Sequence, residues 1–128
     1  MAKSDLLHSE LSRAIIGAAM EVHKILGAGF LESVYEEALV IEFDLRAISF
    51  ERQKLIDVAY KDKIAKQFVC DFVVYGKIVV ELKAIKSISD IEQAQVLNYL
   101  KASGLSLGLL LNFGSSSLEV KRLINTYR

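Results

Sequence analysis

The sequence predicts an α/β or α+β fold in which helices flank a mixed β-sheet. Two helical patterns occupy the first third of the chain, a run of strand-like segments follows, and a further helix precedes a last strongly apolar strand. A strand–helix–strand connection is a crossover, so this strand is expected to run parallel to an earlier one. No linker or internal repeat interrupts the 128 residues, and residues 1–128 are expected to form a single domain.

Apolar residues at three- and four-residue steps predict the two N-terminal helices. The first extends from about Leu6 to Leu26 and ends at the Gly-Ala-Gly that follows. The second extends from about Phe30 to Leu45, with Val34, Ala38 and Ile41 on one apolar stripe.

Short apolar runs between turn residues predict a meander of β-hairpins in the middle of the chain. Two short candidate strands lie between Phe50 and Ala59, a longer strand extends from Ile64 to Val74, and a strongly apolar strand extends from Ile78 to Lys83. A polar turn at 60–63 and a tight reversal around Gly76 separate these segments.

The C-terminal third is predicted to contain a helix and a buried strand. The helix extends from about Ile91 to Ala102 and follows hydroxyl and carboxylate side chains suited to capping it. The apolar run from Leu105 to Phe113 is short enough for a buried strand. The segment from Leu118 to Tyr127 fits a strand or a helix, and the sequence leaves that choice open.

Composition excludes several classes of protein. With 52% hydrophobic and 25% charged residues, the chain is globular rather than disordered. The single cysteine, Cys70, excludes an internal disulfide framework and fits a reducing compartment. No apolar run reaches the roughly 20 residues that a membrane span needs, and the N-terminus lacks a signal-peptide pattern. We therefore expect a cytoplasmic protein without a membrane partner.

The net charge of zero conceals an asymmetry along the chain. Residues 1–48 hold four basic and eight acidic side chains, whereas residues 49–128 hold twelve basic and eight acidic ones. A bound polyanion would meet mainly the second part, although a surface with both signs of charge is also ordinary for a globular protein.

Three charged residues interrupt the most apolar strands. Asp71 lies within the strand that ends at Val74, and Glu81 and Lys83 lie at the end of the next strand. If the hairpin turns about Gly76, Asp71 lies opposite Glu81, at a Cβ separation of about 5 Å. Carboxylates this close repel unless a cation or proton lies between them, and Mg²⁺ prefers oxygen ligands. The pattern predicts a Mg²⁺ site flanked by Lys83; a surface hairpin with Asp–Lys or Glu–Lys pairs is the alternative.

These residues resemble a known signature. Asp71 followed by Glu81-Leu82-Lys83 resembles the motif of the PD-(D/E)XK nucleases, and the segment 29–35, Gly-Phe-Leu-Glu-Ser-Val-Tyr, resembles the G-x-x-E-x-x-Y motif of the GxxExxY proteins, a family within that superfamily. The resemblance extends from about Leu11 to Arg122 and implies a restriction-endonuclease-like core with a Mg²⁺ site at one end of a mixed sheet. Cys70 stands where the superfamily name has proline.

The resemblance also implies roles for individual residues. Asp71 and Glu81 would be metal ligands with the Leu82 carbonyl as a third oxygen, and Lys83 would be the catalytic lysine. Glu32 resembles the additional acidic residue that many superfamily members supply from an early helix.

Two further residues resemble the Q-x-x-x-Y element of the branch related to RecB-type nucleases. These are Gln95 and Tyr99, which share a helix face at i and i+4 and are suited to contact a phosphate or support the lysine. Tyr35 is expected to pack in the core, Cys70 to be a buried small apolar residue, and His23 to lie at the surface.

Together the predicted Mg²⁺ site and the resemblance imply a Mg²⁺-dependent phosphodiesterase in which metal-activated water cleaves nucleic acid, most naturally DNA, with Mn²⁺ as a substitute ion. A homodimer is expected, because one small domain offers little surface for a duplex. The alternative is a non-catalytic module that binds nucleic acid or protein on the same fold.

Overall fold

The computed structural model describes residues 8–126, which form three helices and five strands. In chain order these elements are α1 (Ser9–Leu26), α2 (Glu32–Leu45), β1 (Phe50–Tyr60), β2 (Lys63–Val74), β3 (Ile78–Lys83), α3 (Asp90–Ser103), β4 (Leu107–Asn112) and β5 (Glu119–Ile124). The helices match their predicted positions within a few residues, but the predicted start of the first helix at Leu6 lies outside the described residues. None of the described helices is long and apolar enough to span a membrane.

The five strands form one mixed sheet in the order β1-β2-β3-β4-β5. Only the β3–β4 pair among them is parallel, and α3 makes the crossover between these two strands. The α+β class and the mixed sheet are thereby confirmed. β1 is one continuous strand rather than the two short strands predicted, and the C-terminal segment that the sequence left open is the antiparallel strand β5.

The sheet separates two apolar cores. One face packs against α1 and α2 through residues such as Phe72, Val80 and Leu82, and the other packs against α3 through residues such as Val79 and Leu110. The apolar strands β3 and β4 are therefore covered on both sides, as their nearly continuous hydrophobic sequences require.

The face of α2 that packs against the sheet differs from the predicted stripe. Tyr35, Leu39 and Phe43 are fully buried, whereas Val34 and Ile41 are 37% and 61% exposed. The physical reason is the size of the side chains, since the two aromatic rings bury more area than Val34 and Ile41 would. The prediction for His23 is also wrong: it is buried, with Nε2 3.0 Å from the Ser115 carbonyl and its ring tilted against Phe113.

Candidate metal and phosphodiester site

The β2–β3 hairpin has the register that Gly76 predicts. Backbone pairs join Phe72 to Val80 and Val74 to Ile78, which puts Asp71 opposite Glu81 at the next step. At that step the carboxylate side chains, rather than main-chain carbonyls, accept the hydrogen bonds between the two strands. The Asp71 N–H donates to Glu81 Oε1 over 2.9 Å, and the Leu82 N–H donates to Asp71 Oδ2 over 2.8 Å. The two carboxylates therefore meet between the ends of neighbouring strands.

A twist in β2 accompanies this arrangement. Cys70 and Val73 both pack in the core on the α3 side, whereas Phe72 packs in the opposite core, so the alternation of the strand is interrupted beside Asp71. On β1 the neighbouring residue is Gln53, whose φ of 50° lies in the left-handed region. Its amide donates to both carboxylate oxygens of Glu36 over 3.0 Å and to Asp71 Oδ1 over 3.4 Å.

Burial, together with the charge of Asp71 on Glu81 and of Glu36 on Asp71, keeps this carboxylate pair from ionising normally. Glu81 is only 5% exposed, and desolvation followed by the charge of Asp71 raises its pKa to about 8, partly offset by the Asp71 N–H and by Lys83. Burial also raises the pKa of Asp71, while the Leu82 N–H lowers it. Both shifts have the sign expected of carboxylates forced together in a poorly solvated place, where a cation or a proton relieves the repulsion.

The start of α2 brings Glu32 to the same site. Glu32 is exposed at the start of α2, and partial desolvation of its carboxylate, and next the charge of Asp71, raise its pKa, while the nearby Lys83 ammonium opposes this shift. The helix begins here because the preceding loop is fixed by Tyr35, whose hydroxyl donates to the Gly27 carbonyl over 2.6 Å and accepts from the Phe30 N–H over 3.2 Å.

Tyr35 itself is a packing residue, as predicted. Its ring is fully buried and stacks on Phe113 with centroids 4.7 Å apart. Gly29 supplies a φ of 114°, a conformation that favours glycine, in the loop that Tyr35 holds. In the segment 29–35, the glycine and the tyrosine thus shape the loop that presents Glu32.

Helix α3 brings Tyr99 to the acidic pair from the other side of the sheet. Burial, followed by the charges of Glu81 and Asp71, raises the pKa of Tyr99 to about 12, and an interaction with the Gln95 side chain partly offsets the shift. The phenol therefore stays protonated at neutral pH and is available as a hydrogen-bond donor. Its ring packs against Phe68 with centroids 5.4 Å apart.

A profile of the PD-(D/E)XK nuclease superfamily matches residues 9–123 of the chain, which include every residue of the site described above. The chain belongs to the PD-(D/E)XK nuclease superfamily. Nuclease activity on nucleic acid, generally with a divalent metal ion, is what membership in this superfamily suggests. No curated protein matches the sequence.

Among solved structures, this PD-(D/E)XK chain is similar to the crystal structure of SSO0001. The TM-score is 0.60 at 16% sequence identity, and the similarity covers 98% of this chain and 63% of that chain. The chain thus spans less than two thirds of SSO0001, and at this identity the similarity shows the fold alone.

The donor atoms of this PD-(D/E)XK site suit a hard divalent cation. The backbone bonds engage one oxygen of each carboxylate, Glu81 Oε1 and Asp71 Oδ2. The N–H and C=O of one strand residue point to the same neighbouring strand, so the Leu82 carbonyl also faces β2, beside Asp71. Two carboxylates and a carbonyl, completed by water, are ligands that Mg²⁺ accepts. Within residues 8–126, however, no three His, Cys, Asp or Glu side chains are already arranged to hold a metal.

One important residue of the site was not singled out by the sequence analysis. Asn112 ends β4 opposite Lys83, is fully buried, and uses all of its amide. Its Oδ1 accepts from the N–H groups of Ile85 and Gly114, and its Nδ2 donates to the Ile85 carbonyl and to Glu119 Oε1. Asn112 therefore fixes the loop that joins Lys83 to α3. The available signal was a polar residue ending an uninterrupted apolar strand.

Gly114 completes this fixation. A Cβ at Gly114 would lie 2.2 Å from the Ile85 carbonyl oxygen, so only glycine allows the two backbones to approach this closely. The N–H of Phe113 also donates to the Lys83 carbonyl over 2.8 Å. The backbone on both sides of Lys83 is thus held by β4 and the residues that follow it.

Proposed function

We propose that this protein is a Mg²⁺-dependent nuclease of the GxxExxY family that hydrolyses phosphodiester bonds of DNA. The observation that carries the proposal is the pairing of Asp71 and Glu81 across two strands, each carboxylate accepting a main-chain N–H of the other strand, with the charge of Lys83 acting on Glu81. Mn²⁺ is the expected substitute ion. We also propose that residues 1–128 form one domain, that the protein acts in the cytoplasm, and that two copies associate to cut two strands.

Asp71 and Glu81, with the Leu82 carbonyl, would hold the metal ion. When bound, the ion would supply charge stabilisation and a more acidic water. Lys83 lies two residues after Glu81 and therefore shares its strand face, from which its ammonium offsets charge on a phosphate and orients the attacking water.

The helices supply the remaining groups in this proposal. The protonated Tyr99 phenol, supported by Gln95, donates a hydrogen bond to a phosphate oxygen. Glu32, whose pKa is raised by partial desolvation and by Asp71, adds an acidic group on the α2 side, where it would accept a proton or bind a water of the site.

Cleavage assays with Lys83→Ala test this function. We expect wild-type protein with Mg²⁺ or Mn²⁺ to cut DNA, and Lys83→Ala to lower the rate by at least about 10²-fold, as loss of a group that acts on the reacting atoms does. Lys86→Ala, an exposed lysine three residues later, is the matched control and should retain the rate. Equal loss in both variants, or cleavage that survives Lys83→Ala, contradicts the proposal.

A non-catalytic binding module is the second candidate, and one observation favours it. The Asp71 carboxylate already accepts a main-chain N–H of β3, and the Glu81 carboxylate already accepts one of β2. The Gln53 amide also donates to both Asp71 and Glu36. A purely structural carboxylate pair would show the same bonds. Such a module would bind nucleic acid without cutting it in any divalent metal, whereas the nuclease would cut.

A further inference from the structure

The β1–β2 hairpin extends well beyond the rest of the sheet. β2 has twelve residues but pairs with β3 only from Phe72 to Val74, whereas it pairs with β1 along almost its whole length. From Asp71 to the turn at Lys63 there are eight residues, or about 26 Å at roughly 3.3 Å per residue. Helix α3 packs on one face of the ribbon at Ile56 and Phe68 and lines a cavity with β1 as far as Ala59, and the residues from Tyr60 to Gln67 lie beyond it.

The ribbon leaves the sheet at the candidate site. The paired part of β2 ends at Phe72, and Asp71 is the first residue beyond it. β2 and β3 are antiparallel, so the ribbon points in the direction in which β3 runs toward Lys83, and the turn containing Lys77 lies at the opposite end of the strands. A phosphate at Asp71 and Glu81 would therefore lie at the root of the ribbon.

The tip of the ribbon has an unusual surface for a strand edge. Residues 58–66 hold three lysines, Lys61, Lys63 and Lys66, and one aspartate, and all three lysines are exposed. Lysines alone would serve to keep a strand edge from pairing. Tyr60 and Ile64, however, are 66% and 60% exposed at the same tip, and the Lys61 ammonium lies 5.5 Å from the centre of the Tyr60 ring.

We propose that this ribbon is an arm that enters the major groove of the duplex DNA whose phosphate occupies the site. This inference rests on the proposed function, because it assumes that DNA is the substrate of the nuclease site. The major groove of B-DNA admits a two-stranded ribbon, whereas the major groove of duplex RNA is too deep and narrow for side chains to read. The lysines of the tip meet phosphates along the groove, and Tyr60 and Ile64 contact sugar and base edges.

The test measures binding rather than cleavage. The Lys83→Ala protein is titrated with a labelled DNA duplex of about two helical turns in Ca²⁺, at several salt concentrations. Adding Lys61→Ala and Lys63→Ala should weaken binding and reduce the slope of log K against log salt by about 1.8, because each lost phosphate contact accounts for about 0.9. Lys77→Ala, at the other end of the strands, should leave affinity and slope unchanged. A duplex RNA of equal length should bind more weakly.

The outcomes separate this inference from the proposed function. If the wild-type protein cuts DNA but the ribbon substitutions leave the slope of log K against log salt unchanged, the proposed DNA-binding arm is wrong, whereas the proposed nuclease activity is supported. If binding depends on the ribbon but no divalent metal supports cleavage, the nuclease is wrong and the arm stands. If the ribbon substitutions change only self-association, measured by sedimentation, the ribbon is a contact between copies and the inference is overturned.

Discussion

Asp71 and Glu81 replace two rungs of the β2–β3 ladder with their own carboxylates, each accepting a main-chain N–H from the other's strand. Removing either side chain would leave an amide of the facing strand without its acceptor. An isosteric amide keeps an acceptor and removes the charge, so Asn and Gln are the substitutions that separate metal binding from folding.

Divalent metal should stabilise the protein through this pair. At a hundred times its Kd, Mg²⁺ or Mn²⁺ should raise the free energy of unfolding by about 2.7 kcal/mol, because it binds only the folded chain. Thermal melts measure the shift, which Asp71→Asn should abolish and Asp62→Asn, at the exposed hairpin turn, should retain. A shift of equal size in Asp71→Asn would place the metal elsewhere.

Without metal, stability should fall as the pH rises from about 4.5 toward 8. Burial and the charge of Asp71 raise the pKa of Glu81 from 4.5 to about 8, so in this window the folded state holds a proton that the unfolded state has lost. Stability therefore decreases with pH across it. Urea denaturation in EDTA should show this decrease, and Glu81→Gln should reduce it. Glu10→Gln, an exposed residue of α1, should not.

Asn112→Ala should destabilise the fold by about 2–4 kcal/mol, because it leaves three partly buried backbone groups, the N–H and carbonyl of Ile85 and the N–H of Gly114, without their side-chain partner. Urea denaturation gives the difference. Asn98→Ala, an exposed asparagine of α3, should change stability by less than about 0.5 kcal/mol. Comparable small effects in both variants would mean that water replaces the Asn112 amide.

Cys70 should be inert in the folded protein. It is fully buried, and desolvation, followed by the charge of Glu81, raises the pKa of its thiol to about 12, so almost no thiolate is present at neutral pH. Ellman's reagent should react with it only in denaturant. Val69→Cys in a Cys70→Ala background presents a thiol at the neighbouring, 44% exposed position and should react without denaturant. Rapid labelling of native Cys70 would rule out the buried geometry.

Local sequence was sufficient for the register of the β2–β3 hairpin. A short turn about Gly76 fixes the pairing arithmetically, so the contact between Asp71 and Glu81 followed from their distances from it along the chain. The order strand, helix, strand also predicted that β4 runs parallel to an earlier strand, because a helical crossover can join parallel strands whereas a tight turn joins only antiparallel ones. The roles of Asp71, Glu81, Lys83, Glu32, Gln95 and Tyr99 in catalysis stay predictions.

The face of α2 could not be chosen from the sequence. Its stripe at Val34 and Ile41 is as apolar as its buried stripe at Tyr35 and Phe43, and periodicity alone does not distinguish them. Packing of Tyr35 against Phe113 and of Phe43 against Phe72 decides which face of α2 is buried. Local periodicity does not show this, because Phe113 and Phe72 come from distant parts of the chain.

The sequence by itself determined the order of the three helices and of the strands β2 to β4, the antiparallel hairpin and the opposition of its two acidic residues, since all of these follow from short-range periodicity and turn geometry. Only the tertiary structure decided that Glu32 and Tyr99 approach that pair from opposite faces of the sheet, and that Asn112 holds the loop after Lys83. These contacts join residues separated by many positions along the chain, and burial between packed layers, which no local pattern encodes, sets both their geometry and the raised pKa of Glu81.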